Sequence, residues 1–270
     1  MKYKNFLSLH YVLKFLILLL MLSFLNLDSA FAKDWFPLAP DLEMKEIPVK
    51  SNPIFGSNLL FIRTSLKNYH VKVIRSKEYG EKSLDVKTLA LKSNAIIAIN
   101  ANFFDEYGKA LGLVINRGKV FNKMHKGGNT LTGVFQANRT EIKISGRNNI
   151  DYSSILEAVQ AGPRLVANHA ILETKNSFQN SKRSGVCVDD QNRLIIFSTM
   201  DTFSGVSLSD LKNILVSEEI NCKDALNFDG GGSAQIYISN KIPNIVSNVN
   251  ARYVPGNDKI PVALGLFVQD

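Results

Sequence analysis

Three consecutive glycines, Gly230, Gly231 and Gly232, follow directly on a carboxylate in NFDGGGS, Asn227 to Ser233, with apolar segments on both sides. Glycine loses more backbone freedom on folding than any other residue, so such a run needs a structural return. A two-residue hairpin would be satisfied by one or two glycines. A phosphate loop of the nucleotide-binding kind needs a helix after the glycines, whose free amides hold the anion. Here AQIYIS follows and alternates as a strand does, with no Lys-Ser/Thr and no G-x-G-x-x-G. Both nucleotide readings fail on this context. What remains is a turn approached closely by something else, or a nest of consecutive amides that binds an anion beside Asp229.

The other end of the chain speaks to location. Lys2, Lys4 and Lys14 are the only charges before Asp28, FLILLLMLSFL (Phe15 to Leu25) is uninterrupted and apolar, and AFA (Ala30 to Ala32) places small residues at a cleavage site. A basic start, an apolar core of about 7–15 residues and an A-x-A site describe a secretory signal peptide. The run is shorter than the ~20 residues that span a bilayer. The expectation is a cleaved signal at 1–32, a secreted or periplasmic protein, and no stable membrane anchor after cleavage. The mature chain then has 238 residues, and its net charge falls from +8 to +6 with three basic residues and one acidic removed. The remaining cations are scattered singly, which argues against nucleic acid and leaves anionic envelope material as the partner class. Cys187 and Cys222 are the only cysteines, able to pair in an oxidising compartment but equally readable as two buried thiols.

Along the mature chain, residues 33–57 carry four prolines and read as an extended lead-in. NLLFIRTS, YHVKVIRS and the buried-type AIIAIN have strand composition, and LGLVINRGKVF predicts a hairpin turning at Arg117-Gly118. SLDVKTLALKSN predicts a short helix capped by Ser83. RSGVCVDDQNRLIIFST predicts a second hairpin, turning at Asp190 to Asn192. SLSDLKNIL predicts a helix capped by Ser207, with Leu208, Leu211 and Leu215 on one face. No linker or low-complexity stretch divides the chain, so one domain is expected over 58–270. An echo links its halves, since a helix, a loop and a buried strand end in AINANFFD and again in ALNFDGGGS. If the two strands lie side by side and point the same way, Asn100 and Asn227 converge at one place.

INANFFD, QAGPRLV, RSGVCVDDQNRLIIFST, GVSLSDLKNIL and DALNFDGGGS occur in the order found in the phosphodiester glycosidase family, and the chain from about Asn58 to Asp270 resembles that family. The resemblance implies an α+β fold, a strand-rich mixed sheet core with flanking helices, and hydrolysis of a sugar-1-phosphodiester. It carries over onto Asn100, onto Gly162 and Pro163, onto Arg183, and onto Asn227 to Ser233. Asp201 and Arg252 match more loosely.

In such a reaction the phosphate leaves as a stabilised anion, so the protein must bind a phosphodiester and bring a carboxylate to the sugar. Asp229 is the candidate carboxylate, as a base on water or as a nucleophile. Glycosidases commonly use two carboxyls, about 5–5.5 Å apart for retention and wider for inversion. Asp201, Asp105 and Asp189 are the candidates for the second one, and the sequence does not choose among them. Arg183 would hold phosphate oxygens bidentately, with Arg252 and Arg164 behind it. Asn100, Asn102 and Asn227 offer both donors and acceptors to sugar hydroxyls, and Gly162, Gly230 to Gly232 and Ser233 complete the substrate-binding set. The four histidines are dispersed without metal-ligand spacing. No cofactor is expected, and a divalent cation held by carboxylates stays open. The alternative function is a non-catalytic envelope polysaccharide-binding or exopolysaccharide assembly factor on the same fold. N-terminal sequencing of the exported protein should begin at Lys33; a product that still carries FLILLLMLSFL contradicts the cleaved signal.

Overall fold

Short apolar runs separated by turns build sheets rather than helices, and sheets dominate the computed structural model. It describes Lys14 and residues 34–49, 56–200, 204–246 and 250–269. The signal segment and its cleavage point lie outside the described residues. Phe36–Asp270 forms one compact unit.

One sheet of eight strands contains β1 (Phe36–Ala39), β2 (Leu42–Val49), β3 (Ser57–Thr64), β11 (Arg164–Ala167), β12 (Ala170–Ile171), β13 (Ser184–Val188), β14 (Leu194–Thr199) and β15 (Asp224–Asn227), in the order β1-β2-β3-β14-β13-β15-β11-β12. A second, of five strands, contains β6 (Val114–Asn116), β7 (Lys119–Asn122), β8 (Gly133–Ala137), β9 (Ile142–Gly146) and β10 (Glu157–Ala161), ordered β7-β6-β10-β8-β9. The third contains β4 (Tyr69–Arg75), β5 (Ile97–Asn100), β16 (Ile236–Ile238), β17 (Arg252–Val254) and β18 (Val262–Val268), ordered β17-β16-β5-β18-β4. Only two α-helices occur among the described residues of this unit, α1 (Val86–Ser93) and α2 (Leu208–Val216).

The fold is therefore mostly β with few helices, which narrows the expected α+β class. The mixed sheet is not found. Every strand pairing among the described residues is antiparallel. The physical reason is connection length: parallel neighbours need a crossover of a dozen or more residues, usually a helix, and the chain has few helices to supply one. The two stretches with the echo, β5 and β15, also belong to different sheets rather than lying side by side.

Local chemistry accounts for the elements near the site. Arg117 and Gly118 take positive φ, 51° and 74°, and close the β6–β7 hairpin as a primed turn does. Ser207 Oγ accepts from the amide of Asp210 at 3.0 Å and starts α2. The cap of α1 is Asp85 rather than Ser83: its Oδ1 accepts from Thr88 N at 2.9 Å and its Oδ2 from Thr88 Oγ1 at 2.7 Å. Two capping residues stood within three positions, and the one with two acceptor oxygens took the place. Cys187 on β13 and Cys222 form a disulfide with Cα atoms 5.8 Å apart. A single apolar cluster draws on all three sheets, from Leu60 and Leu226 through Phe135 and Val159 to Ile97 and Leu264. The stretch expected as a lead-in contributes β1 and β2 to it through Leu38, Leu42 and Met44. A smaller cluster seats α1 on the third sheet, with Val86, Leu89 and Ala90 against Ala98 and Ala263.

Candidate active site

The site begins where β15 leaves the first sheet. Asp229 N donates to Ala101 O at 3.1 Å, just beyond the end of β5 in the third sheet. Asp229 O accepts from Asn100 Nδ2 at 2.6 Å and from Ser184 Oγ at 3.1 Å. Asn100 Oδ1 in turn accepts from Gln235 N at 3.1 Å. The polar ends of the two echoing strands thus converge across two sheets, joined through backbone and amide. Asn227 binds on the other side, giving Nδ2 to Gly162 O at 3.2 Å and to Phe228 O. Asn102 gives Nδ2 to Leu113 O at 3.2 Å and Gln160 O at 2.9 Å, tying the β5 end to the second sheet. Asn102 Oδ1 and Asn227 Oδ1 are buried without a hydrogen-bond partner among the described residues.

Close packing explains the glycines. A Cβ on Gly230 would stand 2.7 Å from Lys182 O, and one on Gly232 would stand 2.5 Å from Asp258 Oδ2. Gly231 has φ of 56°, in the left-handed region. Several amides of the turn are engaged within the protein. Gly231 N donates to Lys182 O at 3.0 Å, Ser233 N to Gly230 O at 3.1 Å and Ala234 N to Gly231 O at 3.3 Å. The segment is a tight single turn wedged between two other chain segments. Gly162 is likewise walled in, because its Cβ would overlap Thr130 O.

The electrostatics single out Asp229. Its carboxyl is pushed up to about 6 from 3.8, with burial the largest cause. The Ser233 hydroxyl opposes that rise, the nearby Asp258 carboxylate adds to it, and the Gly230 amide opposes it. Ser233 Oγ also lies 3.2 Å from Asp258 Oδ2. One hydroxyl therefore serves both carboxylates. Asp258 itself is exposed, on a loop whose Asn257 and Asp258 amides both donate to Gly232 O, at 2.7 and 3.1 Å.

Two cations flank the turn. Arg183 is half-buried, gives Nε to Val206 O at 3.0 Å and Nη2 to Gln179 O at 2.8 Å, and has Nη1 3.9 Å from the Cβ position of Gly230. Lys182 gives Nζ to Pro255 O at 2.8 Å. Burial pushes both the Arg183 guanidinium and the Lys182 ammonium down. Cations held in poorly solvated surroundings attract an anion more strongly than they would in water.

The remaining expected residues lie elsewhere. Arg252 pairs with Glu46 of β2. Arg164 pairs with Asp224 at 2.5 Å. Asp189 orders its hairpin, accepting from Gln191 N at 3.0 Å and Arg193 N at 2.9 Å and pairing with Arg193 Nε at 2.7 Å. Asp105 accepts from Tyr107 N and Lys109 N within its own loop, at 3.0 and 2.8 Å. Asp201 lies outside the described residues. Asp258 and Lys182 are what the sequence reading missed. Asp258 sat in GNDK, which looks like any polar turn, and Lys182 beside Arg183 looked like a second surface charge. No group of three or more His, Cys, Asp or Glu side chains suited to a metal occurs among the described residues.

A family model described as phosphodiester glycosidase matches residues 93–269. No curated protein matches the chain. Among solved structures, the catalytic domain of zebrafish N-acetylglucosamine-1-phosphodiester alpha-N-acetylglucosaminidase, auto-inhibited by its pro-peptide, is similar with a TM-score of 0.63 and 17% identity over 88% of each chain. A hypothetical protein from Synechocystis is similar with a TM-score of 0.59 and 14% identity over 85% of this chain, which spans only 62% of that one. A Burkholderia pseudomallei protein assigned as exported gives a TM-score of 0.53 and 10% identity, over 78% of this chain and 74% of that one. At these identities the likeness speaks to the fold. Gly231→Val should cost about 1–3 kcal/mol in urea unfolding, because a β-branched residue is strained at positive φ. A loss under about 0.5 kcal/mol, ordinary for surface positions, would show that the turn does not need its glycine.

Proposed function

Because this chain belongs to the phosphodiester glycosidase family, we propose that it is a hydrolase cleaving the glycosidic bond of a sugar-1-phosphodiester. The observation that carries the reading is a half-buried Asp229 with its carboxyl raised to about 6 by burial and by the nearby Asp258 carboxylate, on a turn whose Gly230 lies beside the Arg183 guanidinium. A base or nucleophile is most effective when its pKa lies near the working pH. At pH 7 Asp229 is mostly ionised, so it can take a proton from water or attack the anomeric carbon. Arg183, with Nη1 turned toward Gly230, is the anchor for the phosphate, and Lys182 adds positive potential behind it. As the glycosidic bond breaks, charge builds on the phosphate oxygens, and fixed cations stabilise that charge without reorganising. Asp258 becomes the second carboxylate, sharing the Ser233 proton with Asp229. Asn100 and Ser184 act as positioning residues, holding the Asp229 backbone.

The proposed location is secreted or periplasmic, with a signal at 1–32. The Cys187–Cys222 disulfide supports an oxidising compartment. No helix among the described residues is long and apolar enough to cross a membrane. A binding factor without turnover is the second reading, and it draws on Arg183, two of whose donor groups are already engaged by Val206 and Gln179.

Release of free sugar from a panel of sugar-1-phosphodiesters separates the two. For the substrate cleaved, Asp229→Asn should lower kcat by about 10³ or more with binding kept, and Arg183→Ala should raise KM. The kcat/KM of the wild type should rise with pH through about 6 and then level, because the ionised form of Asp229 is the active one. Near-normal kcat in a folded Asp229→Asn protein would make the carboxylate structural.

A further inference from the structure

Gln235, just past the glycine turn, is completely buried. A buried side-chain amide must find partners for its oxygen and its nitrogen. Here they come from α1, from the turn itself and from the loop that carries Asp258. Gln235 Oε1 accepts from Val86 N at 2.8 Å, the first amide of α1 and one of the donors that a helix start leaves open. Gln235 Nε2 donates to Asp258 O at 2.9 Å and to Ser233 O at 3.3 Å. A main-chain amide can only donate and the two carbonyls can only accept, so these neighbours fix which way the side chain faces. The backbone N–H of Gln235 goes to Asn100 Oδ1 at 3.1 Å, and Asn100 Nδ2 holds Asp229 O at 2.6 Å.

The bond to Asp258 O matters because little else holds that residue. Asp258 sits on the loop 255–259, where Pro255, Asn257, Asp258 and Lys259 are all exposed. A loop that buries so little apolar surface depends on polar contacts for its place. The Asn257 and Asp258 amides meet Gly232 O, and Lys182 Nζ reaches Pro255 O at 2.8 Å. Gln235 Nε2 takes the carbonyl of Asp258. With its N–H and its C=O both tied, Asp258 keeps only its side-chain torsions, and its Oδ2 stands 3.2 Å from Ser233 Oγ. Ser233 also bonds the Asp229 carboxyl. The packing leaves no slack, since a Cβ on Gly256 would stand 2.5 Å from Gly232 O and 2.8 Å from Gln235 Nε2.

We infer that Gln235 is the positioning residue of the carboxylate pair, its side-chain amide holding the 255–259 loop so that Asp258 stays against Ser233 beside Asp229. The inference rests on the hydrolase reading for what that pair does. Gln235 bonds neither carboxyl group. It acts on Asp229 through Asn100 and on Asp258 through the loop, so one buried side chain keeps the two in register.

Two variants reach the contact from opposite sides. Gln235→Met keeps the length and removes the amide. Gly256→Ala leaves the amide in place and forces the loop away from it, so a folding defect in the first variant does not remove the test. In labelled protein, each should lower the apparent pKa of Asp229 as Asp258→Asn does, because a neighbouring negative charge moves off. Each should also speed hydrogen exchange at the Asn257 and Asp258 amides by about tenfold, the scale of one lost hydrogen bond. A residue that merely supports the fold would shift Asp229 independently of Asp258. A positioning residue would not, so Gln235→Met/Asp258→Asn should titrate at Asp229 as Asp258→Asn does alone. Additive shifts in that double variant overturn the inference. So does an Asp229 titration that Asp258→Asn moves but Gln235→Met and Gly256→Ala leave unchanged. On the diester that the wild type cleaves, the rise of kcat/KM should move to lower pH in both single variants. Cleavage with an unmoved profile and an unmoved titration sinks this inference alone. Coupled titration shifts in a protein that cleaves no sugar-1-phosphodiester keep Gln235 as the residue that places Asp258 and sink the hydrolase reading alone.

Discussion

Asp229 is held by its backbone between two sheets, and the rest of the site follows from that attachment. Its N–H reaches Ala101 O beside the third sheet, and its C=O takes protons from Asn100 of the third sheet and Ser184 of the first. Buried backbone groups must find partners, and here the partners come from strands far apart in sequence. The carboxylate is therefore placed by the junction itself. The glycines serve the same end. They let Lys182 on one side and Asp258 on the other approach a backbone that any side chain would hold off.

This placement produces the electrostatics. Desolvation raises the Asp229 carboxyl, and the Asp258 carboxylate raises it further. Two half-buried cations, Arg183 and Lys182, lie along the same turn. A raised carboxyl on the same turn as two cations suits the proposed reaction, which builds negative charge at a phosphate and positive charge at a sugar.

Much of this was legible in the chain, where local chemistry decides. The turns at Arg117-Gly118 and at Asp190 to Asn192, the Ser207 cap and the strand after the glycines are all local features. Other elements hide. β10 reads EAVQA, and its Glu157 and Gln160 look solvent-facing. Yet Glu157 is buried accepting Val73 N at 2.8 Å and Arg117 N at 3.1 Å, and the Gln160 amide bridges Leu113 N and Leu131 O. The β8–β9 hairpin turns on Asn138, whose side chain accepts from Thr140 N and Glu141 N, with no glycine to mark it. Pro48 lies inside β2 and lacks the N–H that a ladder needs. β1 pairs with β2 only as far as Met44, so Pro48 lies past the end of that partner. At the site, the carboxylate and the arginine carried local signals, whereas Asp258 is brought in only by tertiary packing against Gly232. The glycines were legible as a place of close approach, but not as what approaches them.

The most direct test is the titration of Asp229 itself. Carboxyl carbon chemical shifts, followed against pH in the labelled protein, should give Asp229 an apparent pKa of about 6, against an ordinary 3.8. Asp258→Asn should bring that value down, because it removes the neighbouring negative charge. An Asp229 that titrates near 3.8 and ignores Asp258→Asn would contradict the account, since the junction would then hold an ordinary solvated carboxylate.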